Sequence, residues 1–221
     1  MTAPAAVLFD MDGLLVDSEP VWTVAEGELA VRLGGSFTPE LKAAIVGTRL
    51  EVAVPTFLAW YDAPRGPAEV AATCAWLLGR MAELFAAELI VLPGVVELLA
   101  ALCDAGVPVA LVSSSYRVLV DAVLRQGIGP FAVSVAGDEV VHGKPHPEPY
   151  LTACARLRVD PREAVVLEDS PAGVASGEAA GCAVVAVPSV PGVHLEAGPR
   201  RLVMPSLVPV GLAELALLSS R

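Results

Sequence analysis

Asp10 and Asp12 stand two residues apart in Asp10-Met11-Asp12-Gly13, directly after the apolar run Ala5 to Phe9. Other apolar runs also end in polar groups. Ser113-Ser114-Ser115 follows Val107 to Val112, and Glu168-Asp169-Ser170 follows Ala164 to Leu167. Lys144 sits in a loop as Gly143-Lys144-Pro145. Gathered together, four carboxylates, a hydroxyl cluster and one ammonium define a chemistry. Crowded carboxylates repel one another, and some take up protons unless a cation holds them ionised. Hard oxygen ligands favour Mg²⁺, which binds through a few carboxylates and leaves room for water and phosphate. Ser hydroxyls and a lysine suit phosphate oxygens. The set predicts Mg²⁺-assisted phosphoryl transfer, in which one Asp accepts the phosphoryl group. A second Asp two residues on would exchange protons with the leaving oxygen and then with water.

Each piece also has an ordinary structural reading. Asp and Gly are common in turns after strands, a serine cluster suits a helix cap, and Glu168-Asp169-Ser170-Pro171 fits a helix N-terminus. Lys144 stands apart, because the chain has only two lysines, Lys42 and Lys144. A lysine held between Gly and Pro is more than a solvating charge. Lys42 reads instead as part of a solvated helix face within Pro39 to Ile45. His142 and His146 are four apart, but Pro145 blocks the helix that would align them as zinc ligands; His194 reads as solvated.

The elements that must position these groups follow from hydropathy. Short apolar runs bounded by turn signals at Ala5–Phe9, Val107–Val112, Ala164–Leu167 and Cys182–Val187 predict strands buried on both faces. Helical spacing marks Val95–Ala105, Tyr116–Gln126, Pro147–Leu157 and Gly173–Ala180. Alternating strands and helices predict an α/β fold with a doubly wound parallel sheet, whose carboxyl edge would collect the polar groups. Residues 18–92 break the alternation with helical periodicity at Val21–Leu33 and Ala68–Ile90. They predict an inserted helical domain, leaving 1–17 and 93–221 as the core.

Composition narrows the function classes. The 221 residues are 55% hydrophobic and 18% charged, with a net charge of −11. That excludes disorder and argues against nucleic acid as a partner. Mean hydropathy is +0.64, yet the longest run free of Asp, Glu, Lys and Arg, residues 179–195, is broken by Pro188, Pro191 and Gly192. No membrane span is therefore expected. Cys74, Cys103, Cys154 and Cys182 form no C-x-x-C pair and read as buried small hydrophobes in a reducing compartment. The N-terminus has no basic segment before its apolar run, so the expected location is cytoplasmic.

With these residues placed, the sequence resembles the haloacid dehalogenase superfamily, in its phosphatase and phosphomutase branch. Asp10-Met11-Asp12-Gly13-Leu14-Leu15-Val16-Asp17-Ser18-Glu19-Pro20 is similar to the first motif of that family. Ser113 falls at the second, Lys144 in Gly-Lys-Pro-His-Pro at the third, and Glu168-Asp169-Ser170-Pro171-Ala172-Gly173 at the fourth. The resemblance implies a Rossmann-like core with an α-helical cap inserted after the first strand. It implies Asp10 as nucleophile and Asp12 as general acid/base. It also implies Mg²⁺ on Asp10, the backbone carbonyl of Asp12, and Asp169, with Glu168 as ligand or outer partner. Ser113 and Lys144 would hold phosphoryl oxygens, with Ser114 and Ser115 close by.

An acid at position 12 disfavours the family's dehalogenases and phosphonatases, which lack it. In its β-phosphoglucomutases a histidine stands where this chain has Trp22, so hydrolysis is expected, with the mutase as alternative. Glu19, Trp22 and Arg49 would face the substrate from the cap. The implied partner is a small phosphorylated metabolite, a hexose or other sugar phosphate, bound by a monomer or weak homo-oligomer.

Overall fold

The structure, a computed structural model, describes residues 3–45, 48, 50–189 and 194–219. In chain order the elements are β1 (Ala6–Phe9), β2 (Val16–Asp17), α1 (Glu19–Arg32), α2 (Pro39–Ile45), α3 (Leu50–Trp60), α4 (Pro67–Ala87) and β3 (Ile90–Val91). There follow α5 (Val95–Asp104), β4 (Val109–Val112), α6 (Arg117–Leu124), β5 (Val133–Val135), α7 (Glu148–Leu157), β6 (Ala164–Glu168), α8 (Pro171–Ala179), β7 (Ala183–Ala186), β8 (Arg201–Val203) and α9 (Leu212–Ser219). The chain divides into two compact units, residues 1–18 with 89–221, and residues 19–88.

The larger unit is built on a six-stranded sheet in the order β5-β4-β1-β6-β7-β8, with every pairing parallel. β1, β4, β6 and β7 are buried at every residue, which is why they read as continuous apolar runs rather than alternating ones. On one face Leu8, Ala110, Val112, Val166 and Val184 form a core with Tyr150, Ala153 and Cys154 of α7 and Val174 of α8. Register then fixes what meets beyond the sheet. Phe9 is paired with both Leu111 and Leu167, so Asp10 emerges between the ends of β4 and β6.

β5 and β8, absent from the predicted strands, are three-residue strands at the two sheet edges. Their short, partly polar sequences, Val-Ser-Val and Arg-Leu-Val, offer too little apolar run to detect. Residues 89–92 also depart from the predicted boundary. Ile90–Val91 pairs antiparallel with Val16–Asp17, which draws this segment into the sheet-bearing unit instead of extending the preceding helix.

The smaller unit is helical. α1 packs on α4, and α3 packs on both α2 and α4, around Leu29, Leu41, Phe57, Leu77, Met81 and Phe85. Arg80 of α4 forks onto both Glu28 oxygens at 2.6 and 2.8 Å, the bidentate geometry a guanidinium is shaped for. By length and composition α4 is the one helix among the described residues long and apolar enough to cross a membrane. In this unit it turns Leu77, Met81 and Phe85 inward and carries the Arg80 ion pairs.

Two expectations are corrected here. Lys42 is not a solvated charge: its ammonium lies 3.0 Å from both Glu19 and Glu26, and its side chain is 24% exposed. Buried Glu26 demands such a partner. Of the four cysteines, all free, only Cys154 and Cys182 are buried; Cys74 is half-buried and Cys103 exposed.

Candidate active site

Lys144 is the hub of the carboxylate cluster. Its Nζ donates to Asp10 Oδ1 at 2.5 Å, to Glu168 Oε1 at 2.6 Å and to the Val112 carbonyl at 3.0 Å. Its side chain is only 5% exposed. An ammonium has three protons, and here each has an acceptor. Burial opposes the Lys144 charge, but Asp10 and Glu168 outweigh it and the net shift is upward. Lys144 is thus a fixed positive charge that keeps its proton.

Glu168 is fully buried and has every acceptor position occupied. Oε1 accepts from Lys144 and from the Tyr150 hydroxyl at 2.8 Å; Oε2 accepts from Asp169 N, Ser170 N and Ser170 Oγ at 3.0–3.1 Å. Burial works against its charge, yet Lys144 and these bonds hold its carboxyl below the usual range. Ser170 also caps α8 by accepting from Gly173 N at 3.0 Å, with Pro171 following it. The helix-start reading and the site reading of Glu168-Asp169-Ser170-Pro171 are therefore both true. Gly173 completes the arrangement, because a Cβ there would lie 1.7 Å from Glu168 Oε1.

The other two buried acids are not so well served. Burial pushes Asp10 well above the usual carboxylate range, Glu168 adds to the rise, and Lys144 only partly offsets it. Asp169 is raised to about 6, by burial first and then by Glu168. Ser189 Oγ donates to Asp169 Oδ2 at 2.5 Å. Asp10, Glu168 and Asp169 each offer an oxygen within 4.8 Å of the others. One lysine cannot neutralise three convergent carboxylates, so the donor set suits a hard divalent cation. Gly13, at φ +80°, lets the backbone pass beside this cluster; a Cβ there would fall 2.2 Å from Asp169 Oδ2.

Asp12 is held separately, by hydroxyls. Ser18 Oγ donates to Oδ1 at 2.7 Å, while Ser115 Oγ and Ser113 Oγ donate to Oδ2 at 2.8 and 3.2 Å. Ser113 Oγ also accepts from Ser115 N at 2.9 Å, so it organises the turn after β4 and does not cap α6. Ser114 is exposed. In the helical unit Glu19 pairs with Lys42, and Trp22 is half-buried. Arg49 lies outside the described residues.

Sequence reasoning missed Ser18, Tyr150 and Ser189. Tyr150 hides in the apolar stripe of α7, where its hydroxyl gives no periodic signal, and Ser18 reads as an ordinary helix-start residue. Ser189 lies 20 positions beyond Asp169, and nothing in the sequence links the two. No helix aligns His142 and His146, yet their rings approach to 4.5 Å.

Fold and site together define an α/β protein that collects acids, hydroxyls and one buried ammonium at the carboxyl edge of a parallel sheet. The chain belongs to the haloacid dehalogenase-like hydrolase family, whose profile matches residues 4–181. It is 38% identical over 184 residues to hexitol phosphatase A of Escherichia coli K12, covering 81% of each chain. It is 33% identical over 182 residues to the phosphorylated carbohydrates phosphatase of Thermotoga maritima, covering 80% of this chain and 81% of the other. The crystal structure of CbbY from Rhodobacter sphaeroides in complex with phosphate superposes with a TM-score of 0.82 at 30% identity, covering 96% of this chain and 99% of that one.

Proposed function

We propose that the protein is a Mg²⁺-dependent phosphatase of small phosphorylated metabolites, sugar phosphates foremost, working through an aspartyl-phosphate on Asp10. The observation that carries this reading is the division of labour between two aspartates two residues apart. Asp10 faces an ammonium that never gives up its proton, and Asp12 faces only hydroxyls. Asp10 Oδ attacks phosphorus, the ester P–O bond breaks, and Asp12 gives its proton to the leaving alkoxide. Water then attacks phosphorus, Asp12 takes the proton, the Asp10–phosphoryl bond breaks, and phosphate leaves with Asp10 restored. Lys144 offsets the charge on Asp10 that an anionic substrate must approach.

Asp10, the backbone carbonyl of Asp12, and Asp169 would hold Mg²⁺, which supplies positive charge for the phosphoryl oxygens when bound. Glu168, with its oxygens occupied, serves by fixing Lys144 rather than as a ligand. Ser113 and Ser115 donate to Asp12 and would offer their hydroxyls to phosphoryl oxygens in turn. The 19–88 unit is proposed as the cap domain that selects substrate, with Glu19, Trp22 and Arg49 the residues to vary.

Likeness to a hexitol phosphatase and a phosphorylated carbohydrates phosphatase supports hydrolysis of sugar phosphates. The test is turnover of p-nitrophenyl phosphate and a panel of phosphorylated sugars and polyols with Mg²⁺. Wild type is expected to release phosphate, and Asp10→Asn to be inactive. Turnover retained by Asp10→Asn overturns the covalent route. Conversion of β-glucose 1-phosphate to glucose 6-phosphate without free phosphate makes the protein an isomerase instead.

A further inference from the structure

We propose a second metal site, for a transition-metal dication such as Zn²⁺, on His142, His146 and Glu148. The three residues bracket Lys144 in the stretch that leads from β5 into the first residue of α7, and they share none of the carboxylates of the first cluster. Each offers a ligand atom within 4.8 Å of the other two. His142 Nδ1 lies 2.9 Å from Glu148 Oε2, and His146 Nδ1 lies 4.0 Å from that same oxygen. Around a tetrahedral ion with bonds of about 2.1 Å, every pair of ligand atoms is roughly 3.4 Å apart, between the two distances found here. Modest rotation of the imidazoles closes the set, and their side chains are 61% and 50% exposed and free to make it.

The carboxylate is already fixed in place. Glu148 Oε1 accepts from Val141 N at 2.8 Å and Oε2 from His142 N at 2.9 Å, so little ordering remains to be done on binding. His146 Nδ1 now accepts from Glu148 N at 3.2 Å, a bond its lone pair would exchange for the ion. Two imidazoles and one carboxylate suit zinc, leaving a fourth position for water. The Asp10–Glu168–Asp169 cluster offers oxygen alone, so the two sites separate by ligand chemistry. An ion at the new site would clamp residues 142–148 and with them the segment that presents Lys144.

Co²⁺ is the probe, because imidazole ligation in a low-coordinate site gives visible bands far stronger than those of six-coordinate oxygen sites. Full-length protein without a histidine tag is titrated with Co²⁺ under saturating Mg²⁺, and Zn²⁺ is then added. One equivalent of Co²⁺ is expected to develop these bands and Zn²⁺ to abolish them. His142→Ala and His146→Ala are each expected to weaken binding at least the roughly 10- to 100-fold that loss of an outer-shell partner costs. Both variants should keep their fold by circular dichroism and their Mg²⁺-supported turnover. Absence of the bands in wild type overturns the proposal, as does their survival in the double variant. The readout is ligation itself, so it stands or falls apart from the phosphatase reading.

Discussion

Tyr150 donates its phenolic proton to Glu168 Oε1 at 2.8 Å, and Lys144 donates to the same oxygen while its ammonium lies 5.0 Å above the Tyr150 ring. One buried aromatic thus steadies the carboxylate by its hydroxyl and the ammonium by its face. Tyr150→Phe keeps the ring and removes one bond, leaving Glu168 Oε1 with Lys144. The expected cost is about 1 kcal/mol of stability, a Tm drop of roughly 2–4 °C. Turnover should fall up to about tenfold with KM little changed, because the loss acts through Lys144. Steady-state kinetics beside thermal unfolding check both.

Gly173→Ala probes the closeness of α8 to Glu168. The added methyl would meet a carboxylate that five hydrogen bonds hold still. Overpacking of this kind costs about 1–3 kcal/mol, although alanine is the better helix former. Chemical denaturation should show destabilisation, against the usual gain for Gly→Ala in a helix.

Asp169 makes stability depend on pH and on metal. Its folded value of about 6 lies above the unfolded reference of 3.8. The group therefore contributes stability that is fully present below about pH 4 and lost as pH rises through 6. Metal-free protein in chelator should be more stable at pH 5 than at pH 7, by about 1 kcal/mol from this residue. Asp10 is raised too and acts in the same direction. Saturating Mg²⁺ should flatten or reverse the slope, since it binds the ionised form and stabilises the fold by mass action. Urea midpoints at the two pH values, with and without Mg²⁺, give the sign.

Ser18→Ala removes the one hydroxyl on Asp12 Oδ1 and leaves the two on Oδ2. Loss of a single bond of about 0.5–1.5 kcal/mol should lower kcat roughly 2- to 10-fold. Because Asp12 is proposed to activate water, rapid quenching should find more phosphorylated enzyme than in wild type at equal substrate.

The core strands were readable because β1, β4, β6 and β7 lie buried on both faces and so leave uninterrupted apolar runs. The end of each run marks where the chain leaves the sheet, so Asp10, Ser113 and Glu168 could be assigned to one edge from sequence alone. Edge strands β5 and β8 leave no such record, nor does the Val16–Val91 pairing, whose energy lies in contacts between distant residues. Local order thus determined which acids and hydroxyls line the carboxyl edge, along with the family resemblance they carry. Tertiary structure decided their states: Asp169 raised by burial, Glu168 kept ionised by five donors, Lys144 locked on three acceptors. Tyr150, Ser18 and Ser189 enter only there, and so does the approach of His142 to His146. Periodicity records which side of an element is buried; charge state and hydrogen bonding depend on what the fold brings against that side.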